Sequence, residues 1–74
     1  MTFLLKDNYP YISIYIDDFL HIKFVKRDFV GLQSYVENST LFCIELTFKE
    51  NMILLEYDDQ KKWIEVLNLL KEKL

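Results

Sequence analysis

The feature that most limits what this chain can fold into is a series of short runs in which apolar residues alternate with period two. In Tyr11-Ile-Ser-Ile-Tyr-Ile16, the residues Ile12, Ile14 and Ile16 fall on one side of an extended chain, with Tyr11, Ser13 and Tyr15 on the other. After Asp17-Asp18, the run Phe19–Lys26 continues with Leu20, Ile22 and Phe24 opposite Phe19, His21 and Lys23. Phe29–Val36 alternates less cleanly, with Val30, Leu32 and Val36 opposite Phe29, Gly31, Gln33 and Tyr35. A glycine inside such a run predicts a bulge or the close approach of another backbone. Leu41–Phe48 is the clearest strand: Phe42, Ile44, Leu46 and Phe48 oppose Cys43, Glu45 and Thr47. Met52–Tyr57 is apolar on both sides apart from Glu56. Breaks of two to four residues between such runs join strands as antiparallel hairpins, so the pattern predicts a meander of about five strands.

The period then becomes helical. Asp58 and Asp59 are good N-cap residues, and Trp63, Val66, Leu67, Leu70 and Leu74 follow on one stripe at 100° per residue. One helix laid on one face of the sheet closes a two-layer α+β domain. With no linker, repeat or low-complexity block, residues 1–74 read as a single domain. The order of strands followed by one Trp-bearing helix is similar to a truncated pleckstrin-homology-like barrel, a likeness of layout that no motif carries.

Composition sets what can hold such a domain together. A lone Cys43 forbids an intrachain disulfide, and there is one Gly, one Pro and no Ala among 74 residues. A domain this small buries a modest fraction of its surface, so twelve aromatics (six Phe, five Tyr and Trp63) or an oligomeric partner must supply the cohesion. The apolar start breaks at Lys6 and has no basic region before it, unlike a signal peptide. No stretch approaches the ~18 apolar residues of a membrane helix, so a cytoplasmic protein without a membrane role is expected. Asn38-Ser39-Thr40 matches a glycosylation sequon and reads here as a turn. Eight Lys to one Arg, with abundant Ile, Asn, Phe and Tyr, points to AT-rich codons and a bacterial or phage origin.

Catalytic chemistry finds little support. Tyr15-Ile16-Asp17-Asp18 resembles the Tyr-x-Asp-Asp hairpin of reverse-transcriptase palms, whose carboxylates hold two metal ions. The resemblance covers four residues, and turn chemistry favours two aspartates between strands in any case. Glu45, Glu56, Asp58 and Asp59 could form a carboxylate metal site, but two of them suit a helix cap and two an exposed strand face. His21 and Cys43 share only face parity. There is no Gly-rich loop, CxxC or HExxH, so no cofactor and no metal site is expected. Direct nucleic-acid binding is disfavoured by a net charge of −3 and by the lack of a basic run, although Lys23, Lys26 and Arg27 gather near one hairpin.

What remains is an aromatic excess. Tyr11, Tyr15, Phe19, His21, Lys23 and Tyr35 fall on the sheet face that the helix does not need, and this is the composition of a protein interface. The expected function is a non-enzymatic interaction module whose partner is a larger protein or nucleoprotein complex. A small phage or mobile-element inhibitor of a host defence enzyme, of the anti-CRISPR kind, fits that description. A small metal-dependent enzyme using the acidic residues and a homo-oligomeric structural protein are the alternatives, and a homodimer is compatible with any of these. The Thr2–Leu5 segment folded over the aromatic face is the structural explanation that would remove the interface.

Overall fold

A computed structural model describes all 74 residues. Six strands precede one helix: β1 (Phe3–Asn8), β2 (Tyr11–Ile16), β3 (Leu20–Val25), β4 (Phe29–Glu37), β5 (Leu41–Phe48), β6 (Met52–Tyr57) and α1 (Gln60–Lys73). The class is α+β as expected, but the single five-stranded meander is replaced by two three-stranded antiparallel sheets, β1-β2-β3 and β4-β5-β6. The split falls at Lys26–Asp28, which form one 3₁₀ turn instead of a tight hairpin, so β4 does not pair with β3.

The sixth strand is the N-terminal one. Leu5 pairs with Ile14 and Asn8 with Tyr11 across a two-residue Tyr9-Pro10 connection whose peptide bond is cis. Phe3 and Leu5 pack against the core, so this segment extends the sheet edge and does not cover the aromatic face. Its two inward apolar positions are followed by Lys6-Asp7-Asn8, a pattern too short to stand out by alternation alone.

The inner faces of both sheets and the apolar stripe of α1 share one core. Ile12, Ile14, Ile16 and Ile22 come from the first sheet, and Ile44, Leu46, Phe48 and Leu55 from the second. Val66, Leu67 and Leu70 come from the helix, with Trp63 and Leu74 packed at its margin, which is the predicted stripe. The helix does not lie flat on one sheet: it packs against β5, β6 and β1, spanning the opening between the two layers. Asp59 caps it, its Oδ1 accepting hydrogen bonds from the amides of Lys61 (2.9 Å) and Lys62 (3.5 Å).

Two aromatic groups close the ends of the core. Phe24, Phe29 and Phe48 meet with ring centroids 4.8 to 6.0 Å apart where the sheets join. Phe29 was expected on the outer face with Gly31. A β-bulge between Phe29 and Gly31 changes its side, turning Phe29 inward and leaving Val30 exposed. At the other end Phe42 packs against Trp63 at 5.2 Å, and the Trp63 indole N–H donates to the Cys43 carbonyl at 3.0 Å.

Candidate interaction surface

Because both inner faces enter one core, the two outer faces point away from each other. The aromatic residues grouped by parity therefore divide. Tyr11, Tyr15, His21 and Lys23 share the outer face of the first sheet, whereas Tyr35 lies on that of the second, beside Cys43. Phe19 belongs to neither. It sits in the turn before β3 and is 92% exposed, because Ile16 pairs with Leu20 and leaves Asp17-Asp18-Phe19 as the loop.

The first outer face is built in three rows by the strand register. Leu4, Tyr15 and His21 form one row, Lys6, Ser13 and Lys23 the next, and Asn8, Tyr11 and Val25 the third. Tyr15 and His21 are directly opposite and their rings stack, with centroids 4.2 Å apart and planes 11° from parallel. Lys23 Nζ lies 4.7 Å from the Tyr11 ring centre and Lys6 Nζ 5.6 Å from that of Tyr15. Each such contact is worth about 0.5–1 kcal/mol when exposed, a bias of the lysines toward the rings that is smaller than their rotamer entropy. None of the nine positions is a carboxylate, although the chain is acidic overall. Leu4 and Lys6 were not singled out in the sequence, because their membership depends on recognising β1 as a strand.

The turn beside this face is fixed at three points. Asp17 has φ 52°, a left-handed conformation that aspartate tolerates. Its amide donates to the Thr2 carbonyl (2.7 Å), its Oδ1 accepts from the Thr2 amide (2.9 Å), and its Oδ2 is ion-paired with Lys62 of α1. A lysine in the first helical turn opposes the helix dipole, and Asp17 is the compensating partner. The Lys62 hydrogen bond, with help from the Thr2 amide, lowers the Asp17 pKa below its ordinary 3.8. The folded state therefore holds this proton less tightly than the unfolded chain does. The resulting stabilisation is present above pH 3.8 and is lost as pH falls through the lowered folded value. Asp17→Asn is expected to be less stable than the parent at neutral pH, with the difference vanishing in acid. Urea midpoints at pH 7 and at about pH 2 measure this. With its carboxylate so engaged, Asp17 is a positioning element of the turn, and the likeness to a polymerase hairpin stops at the four residue names.

The second outer face has the opposite sign. It carries Glu37, Glu45 and Glu56 around Tyr35 and Cys43. Carboxylate oxygens of Glu37 and Glu56 and the sulfur of Cys43 lie within 4.8 Å of one another. Burial, reinforced by Glu56 and Glu37, pushes the Cys43 thiol above its ordinary 9.0, so it stays protonated and is a poor ligand or nucleophile at neutral pH. Of the four acids considered for a metal site, Asp59 is the helix cap and Glu45 faces Gln33 and Leu54. His21 and Cys43 lie on outer faces of different sheets.

The largest surface depression is lined by Asp28, Lys49, Glu50 and Asn51 with Phe48 alone apolar, unlike the apolar clefts that hold small ligands. No helix is long and apolar enough to cross a membrane. Searches of protein-family models, curated proteins and solved structures found no match to this chain.

Proposed function

We propose that the chain is a non-enzymatic interaction module that binds a larger protein through the outer face of its first sheet. The observation that carries this reading is the arrangement of Tyr15, His21, Tyr11, Lys6 and Lys23 on one carboxylate-free surface of an acidic chain. Tyrosine offers large contact area at low cost in conformational entropy and is enriched at binding hot spots. The stacked Tyr15–His21 pair, and to a lesser degree the lysines beside the rings, favour one arrangement before binding, which lowers the ordering cost of association. Phe19, exposed in a turn fixed by Asp17, is a separate apolar contact that a partner could engage. A module of this size acts by occupying or distorting its partner. Inhibition of a host defence or nucleic-acid-processing protein by a phage or mobile element is the use that fits small size and AT-rich coding.

The test is affinity capture from bacterial extract with the chain and with Tyr15→Ala and Lys23→Glu variants, followed by titration of the captured protein. Tyr15→Ala is expected to weaken binding about tenfold or more, the effect of a hot spot worth about 1.4 kcal/mol. Lys23→Glu should slow association and flatten its dependence on salt, because less attraction is left to screen. Equal binding by all three proteins would remove this face from the function.

A further inference from the structure

The four sheet edges of this fold are not protected alike. β1 carries Lys6 and Asp7, and α1 packs against both β1 and β6. β3 carries His21 and Lys23. β4, the longest strand at nine residues, has no charged residue from Phe29 to Val36 and no proline, and it pairs with β5 alone. Val30 is 68% exposed and Val36 46%, and Tyr35 is exposed beside them. A long, uncharged, partly apolar edge presents unpaired amides and carbonyls that natural proteins ordinarily guard.

Gly31 gives a second, independent observation. Its φ is not positive, and a Cβ built on it meets no atom within 4 Å. The chain's own packing therefore sets no requirement for glycine there, although glycine weakens a strand. Open space above a strand glycine suits an aromatic side chain from a neighbouring strand.

We infer that β4 pairs antiparallel with β4 of a second copy, about a two-fold axis at Gln33, joining the two C-terminal sheets into one six-stranded sheet. In this register Gln33 faces Gln33 of the second copy, and Gly31 faces Tyr35. Each tyrosine then covers the empty side of the other copy's glycine. Leu32 faces Ser34 on the inner side, and regular pairing stops at Val30, where the bulge begins. The sequence Gly31-Leu-Gln-Ser-Tyr35 is thus complementary to itself in reverse, as an isologous interface requires. This surface is distinct from the first-sheet face, which stays free in the dimer.

Sedimentation and light scattering of the full chain test the inference. The parent is expected at twice its 9.0 kDa at high concentration, dissociating on dilution. Gln33→Lys places like charges on the axis and should give a monomer, as should Gln33→Glu. An equimolar mixture of the two should recover the dimer, an outcome that misfolding of either variant could not produce. Gln33→Cys should form a disulfide-linked dimer under mild oxidation, because only residue 33 faces its own copy. A parent that stays monomeric up to about 1 mM would overturn the inference. So would a dimer untouched by Gln33→Lys but abolished by Lys23→Glu, which would place the second copy on the first-sheet face.

Discussion

Replacing Ile44 with alanine is expected to destabilise the protein by about 3 kcal/mol, the usual cost of emptying a fully enclosed aliphatic site. Ile44 is completely buried at the centre of β5, the middle strand of its sheet and one of the strands α1 packs against. It is joined there by Ile14, Leu46, Val66 and Leu70, all equally inaccessible. Contributions reach it from both sheets and the helix, so no single element can collapse into the space. A domain of this size has a total stability of about 4–11 kcal/mol by the usual per-residue range. The variant therefore loses a large share of it, and its urea midpoint should fall by about 2–3 M, given a slope near 1 kcal/mol per M. A midpoint shift below about 0.5 M would mean that the two layers do not share the core described.

Trp63→Ala is expected to cost a similar amount, about 3–5 kcal/mol. The indole does two things at once. Its ring packs against Phe42 at one end of the core, and its N–H satisfies the Cys43 carbonyl on the central strand of the second sheet. Trp63→Phe separates these roles, since it keeps an aromatic ring and removes the donor. It should cost about 1–2 kcal/mol, the usual loss for one part-buried hydrogen bond together with the ring area given up. Circular dichroism during urea unfolding measures both variants, because the substitution removes the only tryptophan fluorophore. If Trp63→Phe proves as damaging as Trp63→Ala, the hydrogen bond rather than the ring docks the helix.

The two outer faces explain why a chain with no compact active-site motif still carries surface information. One is aromatic and cationic, the other acidic around a protonated buried thiol. Segregating charge in this way costs little in stability, because exposed pairs such as Lys26–Asp7 contribute little in any case. Such a pattern would orient a charged partner on approach, and it gives the proposed binding face and the proposed dimer edge separate locations.

Much of the architecture is legible in the residue order. Alternation at Ile12, Ile14 and Ile16, at Leu20 and Ile22, and at Ile44 and Leu46 sets which side of each strand is buried, because a one-residue shift would expose all of them. The change of period at Asp59 marks the helix start, and the stripe from Trp63 to Leu74 marks the side it buries. These are local properties, fixed by backbone geometry that repeats every two or 3.6 residues.

What only the tertiary structure decided was non-local. Parity tells two sides of a strand apart, but it does not say whether two strands belong to one sheet, so Tyr35 and Tyr15 looked alike in the sequence and lie on different faces. The bulge at Val30 inverted Phe29, since one extra residue reverses the parity of everything before it. β1 became visible through its pairing with β2, and with it Leu4 and Lys6 joined the candidate surface. The aspartate at position 17 read as a turn residue. Its ion pair with Lys62, 45 positions along the chain, came only with the helix docked beside the turn. The sequence by itself determined which side of β2, β3, β5 and the helix is buried. The three-dimensional packing of two sheets around one helix decided which exposed residues stand together, because that depends on contacts between segments distant in the chain.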